Sequence, residues 1–218
     1  MREDPKKLLI LDFDGTLVDS MGPFADLAAS LIKEVSDLDF NQAREAYLKT
    51  SGLPFAEQLK LIFPGKDHVS LSQRFEKQKM ESYLDYPVYP EALTILGSLR
   101  EKGLKLAISS NNAQAFVEEY LAHHRALSDY IDLTLGYSDG FSKGVKHFDR
   151  ALDHFNLEVR EACYMGDSLH DGREAFKYGL DFVARLGTFQ KEDFESQSIP
   201  VVAYDYEGAK EFLCKSFY

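Results

Sequence analysis

From residue 90 onward the sequence alternates amphipathic helical patterns with short apolar runs, joined by brief connections. This alternation limits the possible folds more than any other feature. Helical patterns cover 90–102, stopped by Gly103, then 112–124, 144–155, 169–178, stopped by Gly179, and 207–215. Apolar strand patterns cover 104–109, 131–135, 162–165, 180–186 and 201–203. Another such run, 6–11, follows a charged start and ends in an Asp/Gly turn, as a buried strand should. Repeated strand–helix units predict an α/β fold, a doubly wound parallel sheet with helices on both faces. Sheets of this kind place their sites at the carboxyl ends of the strands.

Between the first strand and residue 86 there is no convincing strand. Apolar residues instead recur at helical spacing, at Phe24, Leu27, Ala28, Leu31 and Val35 and again at Ala43, Ala46 and Tyr47. Further helical segments follow Pro54 and Ser70, with breaks at Ser51-Gly52 and Phe63-Pro64-Gly65. If the first strand pairs with the later ones, residues 1–18 and 87–218 form one domain and 19–86 are a helical insertion. An insertion rooted at the active edge of a sheet is suited to act as a lid.

The 218 residues carry 36 Asp plus Glu against 25 Lys plus Arg, a formal charge of −11. Nucleic acids and anionic membranes recruit basic faces, so neither is expected as a partner. No run approaches the roughly 20 apolar residues that span a bilayer, and the charged start lacks a signal peptide's apolar stretch. A cytoplasmic location is expected, with the chain a monomer or homodimer. Cys163 and Cys214 match no metal or redox spacing and are expected to be buried structural thiols.

Four short motifs fall at the carboxyl ends of predicted strands. In Leu11-Asp12-Phe13-Asp14-Gly15-Thr16 two carboxylates stand two residues apart, so on extended chain both would project into one small space. A hard cation such as Mg²⁺ would relieve their repulsion, although an acidic turn capping the next helix would use the same residues. Gly166-Asp167 ends another strand, and Asp171 follows about one helical turn later. Asp167 there could reach a metal held by Asp12, or simply cap its helix. Ser109-Ser110-Asn111 closes a third strand with groups suited to phosphate oxygens, or to capping. Lys143 precedes a helix and could supply positive charge to a phosphate, or be an ordinary exposed lysine.

Taken together and in this order, Asp12-x-Asp14-Gly15-Thr16, Ser110-Asn111, Lys143 and Gly166-Asp167-x-x-x-Asp171 resemble the four motifs of the haloacid dehalogenase superfamily of phosphotransferases. The resemblance spans essentially the whole chain and is closest to the phosphoglycolate-phosphatase and β-phosphoglucomutase branch, whose Rossmann-like core carries a helical cap. It implies Asp12 as nucleophile, forming an aspartyl-phosphate, and Asp14 as general acid and then base. It further implies Mg²⁺ held by Asp12, the Asp14 backbone carbonyl and Asp167, with Asp171 behind them. Ser110, Asn111, Lys143, Gly15 and Thr16 would hold the phosphoryl group of a small phosphorylated metabolite.

Two departures stand out. The family lysine is usually followed by proline, whereas Lys143 precedes Gly144, with Lys146 as a nearby rival. After Asp171 the helix reads Gly172-Arg173-Glu174-Ala175 in place of a more apolar pattern. In the cap loop, where β-phosphoglucomutases carry an arginine for a second phosphate, this chain has Phe55, either in that loop or as a core aromatic. A phosphatase is therefore expected ahead of the alternative, a phosphomutase.

Overall fold

The computed structural model describes residues 5–64 and 68–214. The chain divides into two compact units, Met1–Val18 with Val88–Tyr218, and Asp19–Pro87. Pro87, expected with the first unit, belongs to the second, where its carbonyl accepts the Asp19 N–H at 2.9 Å. The neighbouring pair, Val18 and Val88, bridges within the first unit.

The second unit is helical: α1 (Met21–Val35), α2 (Phe40–Lys49), α3 (Phe55–Ile62) and α4 (Val69–Ser82). The predicted spacing places Phe24, Ala28 and Leu31 of α1 in its interior, with Val35 exposed at the helix end. A capping box starts α2, with the Asp39 carboxylate accepting the Gln42 N–H at 2.9 Å and Gln42 answering to the Asp39 N–H at 3.0 Å. The four helices meet on aromatic rings. Phe75 lies 4.2 Å from Phe55, 5.9 Å from Tyr47 and 6.1 Å from Phe24, centroid to centroid. Phe55 is thus a core aromatic of this unit.

In the first unit β1 (Leu8–Leu11) is followed, after the helical unit, by α5 (Pro90–Glu101), β2 (Lys105–Ala113), α6 (Gln114–His123) and the short α7 (Arg125–Ser128). Then come β3 (Leu133–Tyr137), α8 (Val145–Phe155), β4 (Ala162–Gly166), α9 (Leu169–Tyr178), β5 (Asp181–Ala184), α10 (Lys191–Ser196), β6 (Ala203–Tyr204) and α11 (Asp205–Cys214). Among the described residues, the six strands form one sheet in the order β3-β2-β1-β4-β5-β6, and every pairing is parallel. The order reverses at β1, whose carboxyl end is therefore the sheet's switch point.

All four residues of β1 are buried, as the centre of a two-sided sheet requires. Leu8 and Ile10 pack with Phe148 of α8, Ala175 of α9 and Phe194 of α10. Leu9 and Leu11 point the other way by strand alternation. Elsewhere α5 and α6 pack against β2, and α11 packs against β5.

The expected elements shift in a few places. The helix expected to start at Asn112 starts at Gln114, because β2 runs on through Ala113, which pairs with Tyr137 of β3. The late strands are shorter than read, and α11 begins at Asp205. Residue 215 of the expected last helix lies outside the described residues. Cys163 is buried, its thiol pushed up to about 12 chiefly by desolvation, whereas Cys214 is only half-buried on α11. No helix among the described residues is long and apolar enough to cross a membrane.

Candidate active site

The site begins where β1 stops. The Asp12 N–H still bonds the Met165 carbonyl of β4 at 2.8 Å, after which the chain turns through Gly15 at φ +72°, a conformation that favours glycine. The turn is held by the Leu17 N–H on the Phe13 carbonyl at 2.8 Å and the Gly15 N–H on the Val18 carbonyl at 2.9 Å. From α11 the Tyr206 hydroxyl donates to the Thr16 carbonyl at 2.5 Å, across a sequence separation of 190 residues. The Thr16 hydroxyl is fully buried and has no hydrogen-bond partner among the described residues.

At the end of the adjacent strand, Gly166 lets α9 come close. A Cβ there would lie 2.7 Å from both Cβ and Cγ of Asp171, so only glycine fits. Ser168 caps α9 by accepting the Asp171 N–H at 3.1 Å, and its own hydroxyl and N–H donate back to Asp171 Oδ2 at 2.5 and 3.2 Å. The Tyr164 hydroxyl donates to Asp171 Oδ1 at 2.7 Å. Lys143 completes the cage, with Nζ 2.8 Å from Asp171 Oδ1 and 2.7 Å from Asp12 Oδ1.

Asp12, Asp167 and Asp171 are all buried, and each offers a carboxylate oxygen within 4.8 Å of the others. Three carboxylates thus share one ammonium, and their electrostatics diverge with their partners. Burial raises Asp12 well above the ordinary carboxylate range, with Asp171 and Asp167 adding to the rise and Lys143 opposing it. Asp167 is pushed up to about 7, by burial first and Asp171 second, with Lys143 and the Thr188 hydroxyl at 3.3 Å only partly offsetting this. Burial also acts on Asp171, but Lys143, Ser168 and Tyr164 outweigh it and hold its carboxyl below the usual range. The Lys143 ammonium is in turn stabilised: burial disfavours its charge, yet Asp12 and Asp171 more than compensate. Two repelling oxygen donors, beside a third already saturated with donors, suit a hard divalent cation such as Mg²⁺.

The predicted residues do not all converge. Asp14 Oδ2 accepts the Asn112 side-chain amide at 2.8 Å. Ser110 is buried and accepts the Asn112 N–H at 3.1 Å, whereas Asn111 is exposed. Lys143 enters the cluster, while Lys146 is exposed and donates to the Gly140 carbonyl at 2.6 Å. Gly144 sits at φ +100°, which proline's ring cannot adopt, so the missing family proline follows from the backbone here.

Asn112, Tyr164 and Thr188 are additional members of the site that the sequence did not single out. Asn112 looked like the first residue of a helix, and Tyr164 like one more apolar strand residue. Thr188 lies beyond β5 with no spacing signal to mark it.

A family model described as haloacid dehalogenase-like hydrolase matches residues 9–185. Among curated proteins, a phosphoglycolate phosphatase of Nitrosospira multiformis is 27% identical, with 94% of this chain and 95% of that protein covered. A phosphoglycolate phosphatase of Aquifex aeolicus is 30% identical over 74% of this chain and 76% of its own length. Among solved structures, a haloacid dehalogenase-like family hydrolase of Streptococcus pneumoniae superposes with a TM-score of 0.78 at 18% identity, over 97% of this chain and 99% of the other.

Proposed function

Because the chain belongs to the haloacid dehalogenase-like hydrolase family, we propose that it is a Mg²⁺-dependent phosphatase that hydrolyses a small phosphorylated metabolite through an aspartyl-phosphate on Asp12. The observation that carries this reading is the buried cluster in which Lys143 is clamped between Asp12 and Asp171, with Asp167 beside them, at the carboxyl ends of β1 and β4. Mg²⁺ bound to the Asp12 carboxylate, the Asp14 backbone carbonyl and Asp167 would supply positive charge to the transferring phosphoryl oxygens.

The chain's own groups divide the remaining work. Asp12, ionised and aimed by Lys143, attacks phosphorus and splits one hard displacement into two easier ones. Asp14 gives its proton to the departing alcohol oxygen and later takes one from the water that hydrolyses the aspartyl-phosphate. Lys143, the Ser110 hydroxyl, the Thr16 hydroxyl and backbone N–H groups about Gly15 and Asn111 hold the phosphoryl oxygens. Asp171 keeps Lys143 charged and in place.

Hydrolysis in preference to return of the phosphoryl group to a sugar is supported by Phe55. Its ring packs in the core against Tyr47 and Phe75, so the stretch Ser51-Gly52-Leu53-Pro54-Phe55 offers no cation for a second phosphate. Release of inorganic phosphate from p-nitrophenyl phosphate, abolished by Asp12→Asn and by EDTA, tests the reading. Absence of Mg²⁺-dependent turnover would overturn it. A panel of phosphate esters compared by kcat/KM, beginning with phosphoglycolate, would then define the metabolite. No bulk nucleic-acid or membrane partner and a cytoplasmic location complete the proposal.

A further inference from the structure

Asn112 owes its place to an irregularity in β2. The strand's pairing with β1 ends at Ile108 opposite Leu11, yet β2 continues to Ala113, past the carboxyl end of its neighbour. Against β3 its register shifts: four steps from Ser109 to Ala113 are matched by two from Leu135 to Tyr137. Bulges of this kind re-aim side chains beside functional sites.

This one is fixed from both flanks. The Ser110 hydroxyl accepts the Asn112 N–H at 3.1 Å, and on β3 the Gly136 N–H donates to Gln114 Oε1 at 2.5 Å. Gly136 lets the two backbones touch, since a Cβ there would lie 2.9 Å from the Asn112 carbonyl oxygen and 2.6 Å from Gln114 Cα. The result is a buried side-chain amide whose Nδ2–H donates to Asp14 Oδ2 at 2.8 Å.

We propose that Asn112 is a positioning residue for Asp14: its amide orients the carboxyl group and assigns the transferable proton to Oδ1. The proposal rests on the reading of Asp14 as general acid in a phosphatase. An amide N–H requires a lone pair, which a carboxyl's carbonyl oxygen offers well and its hydroxyl oxygen poorly. A donor on Oδ2 therefore keeps that oxygen carbonyl-like and leaves the proton on Oδ1. In the transfer, the phosphorus–oxygen bond to the alcohol breaks as Asp12 bonds to phosphorus. The departing oxygen receives the proton from Asp14 Oδ1, and Asp14 ends as carboxylate, still accepting from Asn112.

A residue that acts through the general acid leaves a signature that a merely structural one does not. An alkoxide must be protonated as it departs, whereas p-nitrophenolate leaves as the anion and needs little help. The ratio of the losses in kcat/KM for these two leaving groups therefore reports on Asp14 geometry. Because kcat/KM ends at formation of the aspartyl-phosphate, later hydrolysis common to both esters does not mask it.

The experiment measures kcat/KM with Mg²⁺ for glycerol phosphate and p-nitrophenyl phosphate in the wild type, Asn112→Ala and the near-isosteric Asn112→Asp, with thermal melts to verify folding. In both variants the loss should be about tenfold or more greater for the alkyl ester than for the aryl ester. Equal losses on the two esters, or none on either, would overturn the proposal while leaving the phosphatase reading intact. A wild type inactive on both esters would overturn that reading and the proposal with it.

Discussion

The two units of this molecule differ in what they bury. The helical unit closes on Phe24, Tyr47, Phe55 and Phe75, rings whose contacts stabilise without needing a ligand. The sheet unit holds three buried carboxylates and one lysine at the end of its central strands, an arrangement that opposes folding unless each charge is matched. Aromatic burial serves stability. Packed carboxylates are a cost that a protein keeps where chemistry needs it.

Asp12→Asn tests that contrast most severely. Turnover should fall by about 10³-fold or more, since the amide is no nucleophile. Ionised Asp12 is desolvated and repelled, and its raised folded-state pKa means that the ionised form subtracts stability at neutral pH, which returns as pH falls through that value. The variant should therefore melt no lower than the wild type in EDTA, and a clear drop in Tm would break the contrast.

Phe75→Ala should do the reverse in kind, costing about 3–5 kcal/mol in denaturant unfolding through loss of a ring buried among three others. A loss below about 1 kcal/mol would show that the helical unit does not depend on its aromatic centre.

His147 sharpens the comparison through pH. It is buried against Phe141, with Nδ1 3.0 Å from the Ser109 hydroxyl, and burial, aided by Lys143, lowers its pKa to about 4. The folded state thus holds it neutral while the unfolded chain protonates near 6.5, so this group's contribution is present above that value and is lost as pH falls toward 4. Relative to wild type, a His147→Gln variant should gain about 2 kcal/mol between pH 7 and pH 5. Parallel stability curves for the two proteins would refute this assignment.

The smallest effect belongs to Tyr164→Phe, which removes one donor from Asp171 and should cost about 1–2 kcal/mol. A neutral result in denaturant unfolding would mean that Lys143 and Ser168 alone keep the Asp171 charge satisfied.

Much of this was legible in the sequence, for reasons that differ by residue. The ends of β1 and β4 announce themselves because apolar runs stop at acids beside glycine, and strand termination is a local matter. Ser110 and Lys143 are likewise marked by position. The role of Asn112 was not, because Asn-Asn-Ala reads locally as a helix start and only the register against β3, set by the missing side chain of Gly136, keeps the strand going. Tyr164 reads as one more apolar strand residue although its hydroxyl reaches Asp171 on the next helix, and the ring cluster around Phe75 joins residues far apart in sequence, whose meeting no local pattern encodes.

The Tyr206 bond to the Thr16 carbonyl has a consequence for synthesis. The turn that carries Asp12 and Asp14 leaves the ribosome some 190 residues ahead of its tether, which lies on α11. A nascent chain can pair β1 with β2 and β4 before α11 exists, but its acidic turn then lacks the hydroxyl that fixes it. A chain arrested before α11 should therefore carry a formed sheet and an unfinished catalytic turn, so that competence for chemistry waits on a helix made long after the residues that perform it.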